Sequence, residues 1–210
     1  MTILVIAATE MEMAPFLAEN KEVEYLITGV GVPVIMYSLL KKIQAKKYDF
    51  IIQVGIAGTF SDTISLGESV IVLKDCFGDL GVYEKNTFKN IFDLSFASPN
   101  EFPFTEGWLL NEKIDSFFDG NKKETGITVN TSSDVNDYTS LLKQKYNATV
   151  ETMEGAAFHY ICLQEKIPFL QIRGISNSVG ERDKSQWKIK EAIETSNKLL
   201  NEYYNYLKIK

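Results

Sequence analysis

The chain has 210 residues and a formal net charge of −6 at pH 7, which suits one domain that buries roughly 70% of its unfolded surface. Only two arginines occur, Arg173 and Arg182, and the acidic balance provides no positive surface for nucleic acid or an anionic membrane. We therefore predict a single domain over residues 1–210 whose partners include neither nucleic acid nor a membrane.

Cysteine usage and hydropathy point to the cytoplasm. Cys76 and Cys162 are far apart and form no C-x-x-C pair, as expected in a reducing compartment. No apolar run approaches the ~20 residues of a membrane helix. The apolar start, Met1–Ala8, has no basic n-region and is followed at once by Glu10 and Glu12, so we predict a first strand there and not a signal peptide.

The single histidine, His159, limits the chemistry. It makes a multi-His metal site impossible and leaves a Ser-His-Asp triad with one candidate base. Its place inside a predicted helix favours a hydrogen-bonded structural role. We expect no metal and no organic cofactor.

The first strand is followed by a helix start. Thr2–Ala8 is a continuous apolar run, and Thr9-Glu10-Met11-Glu12 fits a capping box that opens a helix. Glu12 has two interpretations, which the sequence leaves open. It could only cap the helix, or its carboxylate could also face a ligand crevice.

Strands and helices then alternate along the chain, and Gly55-Ile56-Ala57-Gly58 is predicted as a Gly-rich turn after the third strand. The alternation predicts an α/β fold with a mixed, mostly parallel, twisted central sheet and helices on both faces, with some antiparallel extension from Leu66–Tyr83. The further predicted strands are Glu24–Thr28, Tyr48–Val54, Leu66–Leu73, Gly126–Thr131, Ala148–Thr152 and Pro168–Ile175; the helices are Val32–Lys47, Trp108–Phe118, Asn136–Tyr146, one after Glu154, and Ser185–Leu207.

Two segments have no clear period. Val82–Phe104 is rich in aromatic residues and interrupted by prolines, and it could line a ligand pocket or cover a dimer contact. The polar loop Asn130–Asp134 could be an N-cap cluster or a wall of the pocket.

Polar side chains follow the strands at one edge of the predicted sheet. Ligands of open α/β sheets bind beyond the carboxyl ends of the strands, so Glu154 and Asn177 should face one crevice. With Glu12, the crevice would hold two carboxylates and one carboxamide, which suit activation of water and recognition of hydroxyl groups. The Gly29-x-Gly31 pair lacks the full G-x-G-x-x-G, which makes a dinucleotide site a weak alternative.

Four motifs carry a family resemblance over nearly the full length. They are Ile3–Glu12, Gly55-Ile56-Ala57-Gly58, Met153-Glu154-Gly155-Ala156 and Arg173-Gly174-Ile175-Ser176-Asn177. With them the chain resembles the methylthioadenosine/S-adenosylhomocysteine nucleosidase branch of the purine nucleosidase/phosphorylase superfamily. Val179-Gly180-x-Arg182-Asp183 and Trp187 make it most similar, within that branch, to the futalosine hydrolases of menaquinone biosynthesis.

The resemblance implies an activity and a role for each matching residue. The expected reaction is hydrolysis of the N-ribosidic bond of futalosine, releasing hypoxanthine, and the expected assembly is a homodimer or larger homo-oligomer. By the resemblance, Glu12 activates the attacking water and Glu154 binds ribose hydroxyls. The other implied contacts are Met153 under the sugar, Ala57 and Gly58 on the ribose and water side, and Trp187 near the 5′ substituent.

Asn177 departs from the pattern of the methylthioadenosine nucleosidases, which have an Asp that protonates the leaving adenine. An amide cannot be that acid, but its NH₂ can donate to the O6 and N7 acceptors of a 6-oxopurine. Asn also pairs with the N6/N7 edge of adenine, so the residue permits hypoxanthine without excluding adenine.

The partner of Arg182 and the activity of the protein each have alternatives. Arg182 could pair with the carboxylate of futalosine, and the favoured rival is an ion pair with Glu181 or Asp183. A phosphorylase would need a cationic phosphate site, and we expect no arginine near Gly29–Gly31 or Gly55–Gly58. A methylthioadenosine-type nucleosidase and a non-catalytic nucleoside-binding protein are the remaining alternatives.

Overall fold

The computed structural model describes residues 1–114 and 116–209. Within these ranges no helix is both long enough and apolar enough to cross a membrane. The strands are β1 (Ile3–Ala7), β2 (Glu24–Ile27), β3 (Phe50–Thr59), β4 (Ser69–Asp75), β5 (Gly81–Glu84), β6 (Thr87–Asn90), β7 (Leu109–Leu110), β8 (Lys123–Thr128), β9 (Val150–Thr152) and β10 (Phe169–Ser178). The α-helices are α1 (Glu10–Glu19), α2 (Val32–Ala45), α3 (Asn136–Tyr146), α4 (Gly155–Gln164) and α5 (Ile189–Ile209).

Eight strands form one mixed sheet, as predicted, in the order β10-β4-β8-β9-β3-β1-β2, with β7 on β4. Most pairings are parallel, and β4 and β9 supply antiparallel ones. Because β10 also pairs with β3, the five strands from β10 to β3 close into a ring. This closure brings the ends of β3, β9 and β10 together.

Helices cover both faces because β1 and β3 are apolar on both sides. On one face α1 and α5 pack through Phe16 and Tyr203, with Val5 of β1 beneath them. On the other, α2 and α4 pack against the neighbouring residue Leu4. The alternation of side chains along a strand assigns these adjacent residues to opposite faces.

One predicted helix is wrong. Trp108–Phe118 forms no α-helix: it contains β7 and a 3₁₀ turn at Ser116–Phe118, while Asp115 lies outside the described residues. The residues pair instead with β4, where Leu110 is opposite Lys74, and the side-chain amide of Asn111 donates to the Phe169 carbonyl at 2.7 Å. These long-range bonds override the local helical pattern.

Candidate active site

All eight site residues predicted from the sequence line one cavity of about 570 Å³ at the carboxyl ends of the strands. They are Glu12, Ala57, Gly58, Met153, Glu154, Asn177, Arg182 and Trp187. The loop residues Asn130, Thr131 and Ser132 also line it, whereas no residue of Val82–Phe104 does. The polar loop is therefore a wall of the cavity, and the aromatic segment lies elsewhere.

Glu12 caps its helix and faces the cavity at the same time. One carboxylate oxygen, Oε2, accepts hydrogen bonds from the backbone N–H and the hydroxyl of Thr9, both at 2.9 Å. The other, Oε1, accepts from the backbone N–H of Ile56 at 3.0 Å. An ionised carboxylate has about four acceptor positions, so Oε1 retains one for a ligand or water.

Gly55 explains why this motif contains glycine. The structure also corrects two expectations about the motif: that it is a turn, and that no arginine lies near it. The motif is no turn, because β3 runs on through Thr59. A Cβ on Gly55 would stand 2.5 Å from Nη1 of Arg173 and 2.7 Å from Oε1 of Glu12. Glycine in a strand often marks such a close approach. The expectation that no arginine lies near this motif is therefore wrong.

Arg173 is a buried cation with spare donors. Its side chain is 1% exposed, and within the described residues its Nε and Nη2 atoms have no hydrogen-bond partner. Nη1 lies 3.5 Å from the Ile56 carbonyl and 4.0 Å from Oε2 of Glu154. Burial of a charge is costly unless opposite charges surround it, and Arg173 has carboxylates on more than one side.

Glu154 is held at the start of α4 by a distant backbone amide. It is the N-cap residue of this helix and is 4% exposed. Its Oε1 accepts a hydrogen bond from the backbone N–H of Gly31 at 2.8 Å. Gly31 has φ +91°, a conformation that favours glycine, and the turn Gly29–Gly31 aims that N–H at the carboxylate.

Burial raises the pKa of Glu154, and the nearby charge of Glu12 adds to the effect. Arg173 and the hydrogen bond from Gly31 oppose this rise. Glu154 therefore has both the Arg173 guanidinium and the Glu12 carboxylate as charged neighbours. A site of this kind concentrates negative charge where a cationic transition state could be stabilised.

A buried network behind the cavity fixes the first turn of α4. The hydroxyl of Thr128 donates to Asp75 at 3.0 Å and accepts from the backbone N–H of Ala156 at 2.7 Å. Burial raises the pKa of Asp75 to about 7. A Cβ on Gly155 would stand 2.2 Å from Oδ2 of Asp75 and 2.4 Å from the amide nitrogen of Gln171. The Met-Glu-Gly-Ala motif therefore needs its glycine for space.

Asn177 lies beside Gly58 at the end of β10. The register of β10 against β3 shifts between Ile175 and Asn177, and such bulges re-aim side chains next to sites. The Oδ1 atom of Asn177 accepts from the Ser176 hydroxyl at 2.8 Å, and Nδ2 donates to the Ser178 carbonyl at 2.9 Å. Nδ2 has a second hydrogen for another acceptor.

Arg182 and Trp187 form one edge of the cavity. The guanidinium carbon lies 5.6 Å from the centroid of the Trp187 ring, and Nη1 lies 3.5 Å from the Ser132 hydroxyl. No ion pair joins Arg182 to Glu181 or Asp183 in the described chain, so the favoured rival is wrong. Asp183 accepts from the Ser185 N–H and caps the short 3₁₀ turn Lys184–Gln186.

His159 has the structural position expected of it. Its ring is fully buried, and Nδ1 lies 2.9 Å from the carbonyl oxygen of Leu109. A carbonyl only accepts, so this nitrogen carries the proton. Burial lowers the pKa of His159 to about 4, which keeps the ring neutral.

Sequence reasoning missed three contributors to the site. Arg173 was noted only as part of a motif, although an arginine inside an apolar strand is itself a signal, since such residues are seldom fully buried. Gly31 had no local signal for its bond to Glu154. Glu151, the middle residue of β9, also lines the cavity, and it is only 8% exposed.

Comparison with known proteins agrees with this architecture. Residues 16–207 match the Phosphorylase superfamily, which covers most of the chain. The protein therefore belongs to this superfamily.

Curated relatives narrow the assignment. The chain is 31% identical over 172 residues to futalosine hydrolase of Thermus thermophilus, spanning 80% of this chain and 75% of the relative. It is 28% identical over 156 residues to the 5′-methylthioadenosine/S-adenosylhomocysteine nucleosidase of Buchnera aphidicola, spanning 72% and 60% of the two chains. Within the superfamily, the chain belongs to the futalosine hydrolase family.

Solved structures share the fold at lower identity. Native futalosine hydrolase of Helicobacter pylori superposes with a TM-score of 0.79, at 14% identity, over 97% of each chain. The nucleosidase of Streptococcus pneumoniae with a transition-state inhibitor gives 0.76, at 19% identity, over 96% of this chain and 97% of the other.

Proposed function

We propose that this protein hydrolyses the N-ribosidic bond of futalosine, releasing hypoxanthine and dehypoxanthine futalosine in menaquinone biosynthesis. The observation that carries the proposal is the convergence of Glu12 and Glu154 on one cavity, with the buried Arg173 guanidinium near both. Membership of the futalosine hydrolase family supports the choice of substrate.

In the proposed mechanism, Glu12 acts as the general base. Its Oε1 atom has one free acceptor position beside Arg173, where it would bind and deprotonate the attacking water. The water oxygen bonds to C1′ of the ribose as the bond to purine N9 breaks, and the bonding electrons leave with the purine. A positioned base of this kind contributes about 10²–10⁴-fold.

Glu154 and Asn177 act on the two ends of the breaking bond. The Glu154 carboxylate would accept hydrogen bonds from ribose hydroxyls and stabilise the oxocarbenium-like sugar. The free Nδ2–H of Asn177 would donate to N7 or O6 of the departing purine and so stabilise its developing negative charge. The amide does not transfer a proton itself, so the leaving base takes its proton from solvent or from protonated Glu12.

The remaining predicted residues would hold the substrate. Met153 would pack under the sugar, with Ala57 and Gly58 on its water side. Trp187 would contact the 5′ substituent, and Arg182, exposed above its ring, would pair with the substrate carboxylate.

A phosphorylase is the nearest competing activity. Arg173 supplies a cation beside Gly55, but Oε1 of Glu12 also lies beside this glycine. A phosphate there would be repelled by that carboxylate. This arrangement supports water over phosphate as the nucleophile.

A direct assay tests the proposal. The purified protein is given futalosine, aminodeoxyfutalosine, methylthioadenosine and inosine separately, with and without phosphate, and free base is measured by chromatography. We expect hypoxanthine from futalosine at a rate independent of phosphate. A strict phosphate requirement would contradict hydrolysis, and tight binding without turnover would indicate a non-catalytic binding protein. Preferred release from methylthioadenosine would indicate the other nucleosidase activity.

We also propose a cytoplasmic homo-oligomer. Both cysteines are buried and unpaired, as suits a reducing compartment. In the Val82–Phe104 segment, Phe96 and Phe102 are 75% and 61% exposed, and exposed aromatic side chains are typical of interfaces. Sedimentation of the purified protein measures the oligomeric state.

A further inference from the structure

Glu151 is a buried carboxyl group on the cavity wall that the proposed mechanism does not use. It belongs to β9, and the Ser132 hydroxyl donates to its Oε1 atom at 3.1 Å. In the described chain it makes no ion pair. Buried glutamates are rare unless they are paired, and a buried carboxyl that lines a cavity without a cationic contact is a candidate for ligand recognition.

The strand register places Glu151 and Asn177 on either side of Gly58. Gly58 of β3 is opposite Glu151 of β9 and opposite Asn177 of β10. Residues opposite each other on adjacent strands project their side chains to the same face. The backbones at Glu151 and Asn177 are therefore two strand spacings apart, or roughly 10 Å.

Gly58 has no side chain that would crowd its neighbours at this point. A Cβ at this position would stand 3.0 Å from Val179 and 3.4 Å from Nδ2 of Asn177. Glu151 and Asn177 nevertheless line the same cavity of about 570 Å³, so a flat heterocycle bound in it can have the carboxyl group at one end and the amide at the other.

We propose that Glu151 determines specificity for a 6-oxopurine base by accepting a hydrogen bond from its N1–H, while Asn177 binds the opposite N7/O6 edge. This proposal rests on the proposed function and adds the group that selects the base. An ionised carboxylate only accepts hydrogen bonds. Hypoxanthine presents a donor at N1, whereas adenine presents a lone pair there and would be repelled.

The protonation of Glu151 gives the proposal a second measurable consequence. Burial raises its pKa to about 7, Asp79 adds to the rise, and the Ser132 hydrogen bond and Arg182 oppose it. Tyr138, on α3, also interacts with its charge. Above this pKa the carboxylate suits the N1–H of hypoxanthine; below it the acid can donate to N1 of adenine. The preference for the 6-oxo base should therefore increase as pH rises.

The test compares futalosine with aminodeoxyfutalosine, which differ in the 6-oxo or 6-amino group of the base. For wild type, Glu151→Gln and Glu151→Leu, the ratio of kcat/KM for the two nucleosides is measured across pH. Loss of a hydrogen bond to a charged group lowers binding by roughly 10- to 100-fold. We expect that decrease for futalosine in Glu151→Leu, a much smaller change for aminodeoxyfutalosine, and a ratio that no longer varies with pH near 7 in either variant.

Two control variants separate recognition from structure. Glu124→Gln changes a carboxylate of β8 that accepts from the Thr149 hydroxyl outside the cavity, and it should leave the ratio unchanged. Ser132→Ala removes the hydroxyl that donates to Oε1 of Glu151. If Glu151 only anchors this loop, Ser132→Ala and Glu151→Leu will lower both activities alike, and the proposal is wrong.

Binding of free bases tests the proposal independently of turnover. Titration calorimetry of wild type with hypoxanthine and 1-methylhypoxanthine should show roughly 10- to 100-fold weaker binding of the methylated base, which has no N1 donor. Equal affinities, or no binding of hypoxanthine, would overturn the proposal. Absence of purine release from both nucleosides would instead refute the proposed function, and the calorimetric comparison would still decide the role of Glu151.

Discussion

The change of Glu12 to glutamine tests the proposed mechanism most directly. It removes the negative charge and leaves a side chain of the same shape. The variant cannot deprotonate water, so the factor of about 10²–10⁴ attributed to a positioned base should be lost from kcat. Substrate binding should be retained, because Glu154 and Asn177 are unchanged.

The structure also predicts a cost in stability. Both oxygens of Glu12 accept from backbone N–H groups, one from Thr9 and one from Ile56. In either orientation, the glutamine NH₂ faces one of these donors and leaves it unsatisfied. Such a loss costs about 1–3 kcal/mol. For a domain of this size each kcal/mol lowers the thermal midpoint by about 2–4 °C.

The assay measures purine release by chromatography and the thermal midpoint by calorimetry. Glu10→Gln is the matched control, since Glu10 is an exposed residue in the same first turn of α1 and should retain both activity and stability. A folded Glu12→Gln protein with a lowered midpoint and a kcat within tenfold of wild type would refute the assignment of Glu12 as the base.

Three further changes test the groups behind the cavity. Arg173→Met removes a cation that lowers the pKa of Glu154, so the acid limb of the kcat/KM profile should move to higher pH, and Arg173→Lys should partly restore it. Gly155→Ala would place a Cβ 2.2 Å from Asp75; chemical denaturation should show a loss of about 1–3 kcal/mol, whereas at an open helix site this change would stabilise. Because the pKa of His159 falls from 6.5 to about 4 on folding, the unfolded state binds more protons between these values. The free energy of unfolding measured in urea should therefore decrease more in wild type than in His159→Gln as pH falls through this window.

Patterns local in sequence predicted much of the fold correctly. The apolar run at β1 has all five residues buried, and the Thr9–Glu12 capping box is present at α1. The apolar stripe of α5, including Leu200 and Tyr203, is buried as its helical spacing indicates. These features depend on interactions within a few residues, which a sequence pattern contains directly.

The errors arose where distant partners decide the local structure. The local pattern of Trp108–Phe118 predicts a helix, but pairing with β4 makes part of it a strand. Gly55–Gly58 is predicted as a turn, but it lies inside β3 because it pairs with Arg173–Asn177 of β10. Neither partner is visible in the segment itself.

The sequence by itself predicted the fold class and eight of the residues that line the cavity. Some came from polar groups at strand ends, which share one edge of such a sheet, and others from the family resemblance. Only the tertiary structure decided the electrostatics of that cavity. Glu154 is bound by the amide of Gly31, 123 residues away. Glu151 and Asn177 lie on either side of Gly58 only because β9 and β10 both pair with β3. Charge and hydrogen bonding depend on distances in space, and chain closure sets these distances between residues that are remote in sequence.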